Sequence, residues 1–261
     1  MSVIETNGAT AVCERLEWDS GFFGCEIARY RKPRCRRDDA AALRAACEAM
    51  RIDCAYVLVD AADTESAAVL QEMRAYFADV RVTFGGRVDA AAKESGLAAS
   101  VVRPANDADI PELMQIASVS HRDTRFYADG HFDQARCNRL YEVWIEKSCR
   151  GAADAVFVAA TESGAPAGYV TCHRDDAARG HIGLFAVGEG SQGRGYGRAL
   201  LGAAARWFGT HGIGDMTVAT QLRNVRALQF YGGAGLQIRS VGFWFHLWTA
   251  DSSATAGGRP R

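Results

Sequence analysis

An apolar strand that runs straight into a glycine-studded loop and then into an amphipathic helix constrains this chain more than any other feature. The stretch is Leu184-Phe185-Ala186-Val187, then Gly188 to Gly197, then Arg198 to Phe208. Four consecutive apolar residues suit a buried strand. Gln192-Gly193-Arg194-Gly195-Tyr196-Gly197 places a glycine at every second position, which lets the backbone approach a ligand and turns successive amides the same way. Leu200, Leu201, Ala204, Trp207 and Phe208 then recur on the core side of a helix. A helix N-terminus carries unpaired N–H groups and a partial positive charge. Loop and helix together predict a seat for a pyrophosphate. The spacing is not Gly-x-x-x-x-Gly-Lys-Ser/Thr, which excludes a nucleoside-triphosphatase loop. It is not Gly-x-Gly-x-x-Gly either, and it lies deep in the chain, which argues against a dinucleotide site on a first strand.

The 261 residues are 48% hydrophobic, enough for a sizeable core and for two small domains. A formal net charge of -1 shows none of the basic excess that a nucleic-acid partner favours. No run of about 18 apolar residues appears, so no transmembrane helix and no membrane partner are expected. The first ten residues lack the basic-then-apolar plan of a signal peptide, and a cytoplasmic location is expected. The eight cysteines form no Cys-x-x-Cys pair. They read as small buried hydrophobes, with neither a metal site nor a disulfide framework expected.

Residues 1–98 read as a smaller α/β unit. Its elements are a strand region at Phe22–Tyr30, a helix at Asp38–Met50, a buried strand at Cys54–Val59, a helix at Thr64–Phe77 capped by Asp63, and an alternating strand at Val80–Val88. The small, polar stretch 90–99 places a domain boundary near residue 98. Residues 99–249 then open with a strand at Val101–Arg103 and a helix capped by Asp107 and Asp109, in which Ile110, Leu113, Met114 and Ala117 share a face. A helix follows at Gln134–Ser148, with strands at Ala155–Thr161, Ala167–His173 and His181–Val187. After the loop and its helix come a strand at Met216–Thr220, a short helix at Asn224–Tyr231, and one or two strands within Leu236–Trp248. Residues 250–261 are Ser/Gly/Ala-rich and read as a disordered tail.

Gln192-Gly193-Arg194-Gly195-Tyr196-Gly197 resembles the Gln/Arg-x-x-Gly-x-Gly/Ala signature with which GNAT acetyltransferases cradle the pyrophosphate of coenzyme A. Asn224-Val225-Arg226-Ala227-Leu228-Gln229-Phe230-Tyr231 and the glycines that follow resemble that family's second element, Asn-x-x-Ala-x-x-Phe-Tyr-x-x-x-Gly-Phe. One departure is Gly188-Glu189-Gly190, where a proline often stands. The resemblance implies an α/β (α+β) chain with the GNAT fold, a mixed, mostly antiparallel sheet flanked by helices, beside the smaller N-terminal half-domain. It implies acetyl-CoA as co-substrate, and a fourth strand at 184–187 that splays from the fifth. Phe185, Ala186, Val187, Gln192, Gly193, Arg194, Gly195, Tyr196, Gly197 and Asn224 would then bind the coenzyme. Backbone amides near Ala186 and Val187 would polarise the acyl carbonyl, and Tyr231 would protonate the departing sulfur. Read without the resemblance, Tyr231 is a core aromatic and Asn224 a helix cap. The general base is not identifiable; His173 and His181, at the ends of adjacent strands, are weak candidates.

The acceptor is expected to meet 118–132, where Arg122, Arg125, Phe126 and Tyr127 mix guanidiniums suited to phosphate with rings suited to stacking. A surface loop with local salt bridges is the plainer reading. Leu16 to Gly24, Asp79 to Phe84, Arg125 to Asp129 with Phe132, and Leu140-Tyr141 to Trp144-Ile145 resemble the dTDP-fucosamine acetyltransferase type within the family. That implies a small-molecule acceptor, the amine of a nucleotide-linked amino sugar such as a dTDP-4-amino-4,6-dideoxyhexose. Another small amine (aminoglycoside, polyamine, amino acid), a protein N-terminus, and a non-catalytic acetyl-CoA-binding regulator are the alternatives. Oligomeric state is left open, with a homodimer one outcome.

Overall fold

The computed structural model describes residues 12–91, 96–97 and 101–249. The expected boundary at 98 and the expected tail at 250–261 lie outside the described residues. In chain order the first elements are β1 (Cys13–Arg15), α1 (Glu17–Phe23), β2 (Ile27–Tyr30), α2 (Arg37–Met50), β3 (Cys54–Asp60), α3 (Thr64–Glu72) and β4 (Tyr76–Arg87). Then come α4 (Val88–Ala91), β5 (Val102–Pro104), α5 (Ile110–Ser120), α6 (Arg125–Ala128), α7 (Gln134–Lys147), β6 (Ala155–Ala160), β7 (Pro166–Arg174) and β8 (Arg179–Val187). The last are α8 (Tyr196–Thr210), β9 (Asp215–Gln221), α9 (Val225–Gly233) and β10 (Gln237–Trp248).

Contacts group the chain into two compact units, one of residues 1–81, 125–136 and 241–261, the other of 82–124 and 137–240. The grouping is not one cut in sequence. Residues 241–249 go with the first unit because β10 pairs along the whole of β3, from Gly242↔Asp60 to Trp248↔Cys54. Residues 125–136 go with it through long-range bonds such as Arg125 to His246, 121 positions apart.

In the first unit β1 pairs antiparallel with β2, β2 parallel with β3, and β3 antiparallel with β10. Strand alternation gives this sheet two different faces. Ala55, Val57, Val59, Phe245 and Leu247 point to one side, where Leu43, Cys47, Val69 and Leu70 from α2 and α3 complete a dry core. Tyr56, His246 and Trp248 point to the other. Asp63 caps α3 as expected, accepting from Ser66 N at 3.2 Å. Two expectations are corrected. Phe22 and Phe23, expected in the strand region 22–30, close a helix that ends at Gly24 in the left-handed region at φ 72°, and the strand begins at Ile27. The helix from Thr64 stops at Glu72, because Arg74 at φ 59° turns the chain into β4. Phe77 therefore lies in a strand, its ring 5.7 Å from Phe243 and 5.5 Å from Phe245.

The second unit is a mixed, mostly antiparallel sheet with helices against it, as the sequence implies. β5, β6, β7 and β8 pair antiparallel in succession, and β8 pairs parallel with β9. α8 buries Leu200, Leu201, Ala204 and Phe208, and α5 buries Ile110, Leu113, Ile116 and Ala117. Cys25 and Cys149 are half-buried and the other six cysteines are buried, in keeping with their reading as small hydrophobes. Among the described residues no helix is long and apolar enough to cross a membrane.

Candidate active site

β8 has one closed end and one open end. Its first half pairs with β9 from Arg179↔Asp215 to Ile182↔Val218, and there that pairing stops. Its pairing with β7 continues to Val187. Residues 183–187 therefore keep one backbone edge unpaired. Alternation decides which amides lie on that edge. Gly188 N–H donates to Ala167 O at 2.9 Å, and Ala186, two residues earlier and opposite Tyr169, faces β7 in the same way. The amides of Phe185 and Val187 face the open edge. Of the amides expected near Ala186 and Val187, the β7 ladder takes that of Ala186 and leaves that of Val187.

The glycine loop continues from this edge. The amides of Ser191 and Gln192 fold back onto Gly188 O and Glu189 O, at 2.8 and 3.3 Å. Those of residues 193–195 meet no acceptor among the described residues. Gly193 and Gly195 sit at φ 76° and 89°, where a side chain costs about 1–2 kcal/mol. Gly195 is the N-cap of α8, which starts at Tyr196 rather than at Arg198. Having no side chain, Gly195 leaves the first amides of the helix without a cap, and these point outward with the positive end of the helix dipole. Gly197 has another job. A Cβ there would lie 3.2 Å from the Phe230 ring, so its bareness lets α8 close against α9.

The side chain of Gln192 faces inward. It donates to Val187 O at 3.0 Å and accepts from Arg226, which ties loop, strand end and α9 together. Arg194 and Arg198 are exposed and Tyr196 is half-buried. Asn224 is the N-cap of α9, its Oδ1 accepting from Ala227 N at 3.0 Å.

Tyr231 lies in α9 at 4% exposure. Its ring centroid is 5.7 Å from that of Phe84, 6.0 Å from Phe185 and 5.3 Å from Phe230. Its hydroxyl hydrogen-bonds to none of the described residues. Burial pushes the phenol well above its usual range, so it keeps its proton at neutral pH. The side chain of Phe185, beside the Val187 amide, thus brings the phenol to the open end of β8.

The two histidines singled out in sequence lie elsewhere. His181 pairs with Thr217 in the closed half and with His173 across β7. Their rings stack at 4.8 Å, and His181 Nδ1 is 2.6 Å from Asp175. Six residues of strand separate His181 from Val187, about 20 Å, so neither histidine serves the open end. Sequence reasoning passed over His121. Its Nε2 is 2.9 Å from Tyr169 Oη and its ring stacks on Tyr141 at 4.5 Å. Burial lowers its pKa to about 4, so the ring is neutral. Tyr169 pairs with Ala186, which puts this group on the sheet face opposite Phe185.

The expected acceptor residues are divided. Arg122 is exposed in the second unit, while Arg125, Phe126 and Tyr127 fall in the first. Phe126 is not a stacking surface: it is 3% exposed, packed on Phe23 at 5.4 Å and Phe132 at 5.5 Å. Aromatic residues that look available in a polar stretch are here the core of the first unit.

Comparison with known proteins rests on this geometry. Residues 112–235 match the Acetyltransferase (GNAT) family. The chain is 33% identical over 162 residues to the dTDP-fucosamine acetyltransferase of Escherichia coli O6:H1, covering 62% of this chain and 69% of that one. The chain belongs to the GNAT acetyltransferase family. It is 27% identical over 146 residues to the spore coat polysaccharide biosynthesis protein SpsD of Bacillus subtilis (strain 168), spanning 56% of this chain and half of that relative. A GCN5-related N-acetyltransferase from Sphaerobacter thermophilus superposes with a TM-score of 0.62 over 90% of this chain and 75% of its own, at 14% identity, a likeness of fold. As a GNAT-family N-acetyltransferase, the chain has residues that fit a coenzyme diphosphate: uncapped amides at the start of α8, two glycines in the left-handed region and exposed arginines beside them.

Proposed function

We propose that this GNAT enzyme transfers the acetyl group of acetyl-CoA to the amine of a nucleotide-linked amino sugar, of the dTDP-4-amino-4,6-dideoxyhexose class. The observation that carries the transfer chemistry is the open edge of β8, which ends at the uncapped start of α8 with Tyr231 packed beside it. The amides of residues 193–198 hold the coenzyme diphosphate, and Arg194 adds positive charge. The coenzyme supplies an activated acyl group as its thioester. Asn224 spends its oxygen on the helix cap, and its NH2 group remains for the pantetheine arm.

Aminolysis needs a polarised carbonyl and a protonated leaving sulfur. The Val187 amide faces the edge along which the acyl group would lie and donates to its oxygen. Tyr231, protonated and unengaged, donates to the sulfur as charge builds there. The small-molecule acceptor is supported by the likeness to the dTDP-fucosamine acetyltransferase. The measurement is free-thiol release with dTDP-amino sugars tested beside aminoglycosides and peptides. Turnover on the nucleotide sugars supports the acceptor; activity on a peptide alone overturns it and leaves the acetyltransferase standing.

A further inference from the structure

The peptide that joins Val187 to Gly188 is hydrogen-bonded at both ends. Its N–H, that of Gly188, donates to Ala167 O at 2.9 Å. Its carbonyl, that of Val187, accepts from Gln192 Nε2 at 3.0 Å. Gln192 reaches back because the chain folds into a tight turn after Gly188, with Ser191 N–H on Gly188 O at 2.8 Å. Its other amide atom, Oε1, accepts from the Arg226 guanidinium in α9. Arginine can only donate, so that bond fixes which way the Gln192 amide is turned, with its NH2 group toward Val187 O.

Two features make this bonding more than a loop brace. In a strand the N–H and C=O of one residue point to the same edge, as the doubly bonded pairs of an antiparallel ladder require. Val187 lies opposite Gly168, and alternation turns both of its backbone groups away from β7 to the open edge of β8. A bare carbonyl there would stand beside the Val187 N–H and repel an incoming acyl oxygen. Gln192 occupies that carbonyl and leaves the donor. The second feature is the entry to the loop. Gly188 and Gly190 flank Glu189, and glycine has more backbone freedom than any other residue. Nothing lies within 4 Å of a Cβ built on Gly190, so side-chain packing does not hold that stretch. The turn and the Gln192 side chain hold it instead.

We propose that Gln192 and Arg226 are positioning residues for acyl transfer. Together they clamp the Val187–Gly188 peptide, so that the Val187 N–H stands fixed at the open edge while the carbonyl beside it is already engaged. Gln192 acts through the Val187 amide and Arg226 acts through Gln192; neither touches the reacting atoms. A donor held in place in advance stabilises a developing oxyanion because nothing has to reorganise as the charge forms. The clamp rests on the transfer reaction proposed for this site and adds to it a cause for the orientation of the amide.

The test is infrared spectroscopy of the full chain with acetyl-CoA labelled by isotope at the thioester carbonyl, beside calorimetric titration with acetyl-CoA and with coenzyme A. A hydrogen bond to a carbonyl oxygen lowers its stretching frequency, so the wild type should shift the thioester band down on binding. Gln192→Leu keeps the side chain's bulk and cannot donate. It should lose most of that shift, and should weaken acetyl-CoA several-fold more than coenzyme A, which has no acyl carbonyl. A side chain that merely braced the loop would weaken both alike and leave the shift in place. Arg226→Ala, at an exposed position, should lose a smaller part of the shift, and it carries the test should Gln192→Leu fail to fold. The full shift retained by the variants, with the two coenzyme forms weakened equally or not at all, overturns the clamp and leaves the transfer reaction standing. A wild-type band that does not move overturns the clamp together with Val187 as donor. Failure to take up either coenzyme form counts against the transfer reaction itself, and the clamp falls with it.

Discussion

The two ends of β8 are built from the same strand and behave as different materials. At the closed end the strand is hydrogen-bonded on both sides, and the side chains that crowd it set the packing. A Cβ on Gly180 would meet Phe208 at 2.5 Å and His173 O at 2.8 Å. This glycine is bare because neighbours leave no room. At the open end Gly193 and Gly195 have nothing pressing on the side-chain position or are fixed by positive φ, and their amides are unspent. The difference teaches that glycine in one short stretch can serve packing, backbone turn or ligand approach. Only the pairing pattern distinguishes these roles.

The comparison is broken most sharply at Tyr231. Tyr231→Phe should lower turnover by about 100-fold, the scale of losing a general acid, with coenzyme affinity nearly unchanged by titration; unreduced turnover would make the ring a packing group only. Gly180→Ala comes next. It should destabilise the fold by about 1–3 kcal/mol through overpacking, read in denaturant unfolding, while coenzyme affinity in the folded protein holds. Gly195→Ala should cost the fold about 1–2 kcal/mol of backbone strain and, unlike Gly180→Ala, also weaken the coenzyme by standing a methyl group where the backbone meets it, read as a raised KM for acetyl-CoA. A smaller effect concerns acid. His121 has its pKa lowered to about 4 from 6.5, so the unfolded chain binds the extra proton first. The stability it contributes is complete above pH 6.5 and is lost as pH falls through 4. The melting temperature should drop across that window, and less steeply in His121→Phe. The smallest effect is at the closed end's surface: His181→Ala removes an exposed contact with Asp175 and should change stability by less than about 0.5 kcal/mol, with turnover unaltered.

Much of the second unit was legible because its signals are local. The strand before the loop, the loop itself and the helix after it are contiguous, and the order of β6, β7 and β8 follows from apolar runs split by turn residues. The loop's special backbone needs were written as glycines. What stayed hidden depends on partners distant in sequence. Nothing near Phe126 announces that Phe23 and Tyr56 bury it, and nothing near His121 points to Tyr169, 48 positions away. Gln192 sits in the signature, yet its side chain is held by Arg226, 34 positions on. In the first unit, Phe22 and Phe23 suggested a strand by composition, but the turn at Gly24 and the bond from Ser20 N to Leu16 O close a helix there. Phe77 keeps the helical phase of α3 in sequence, and the positive φ of Arg74 breaks it.

Amide hydrogen exchange, measured with and without acetyl-CoA, tests the central claim most directly. The coenzyme should slow exchange in peptides covering residues 185–187 and 193–198, and leave 179–182, already paired on both sides, as they were. Equal exchange at the loop with and without coenzyme, or protection confined to the closed end, would contradict the account.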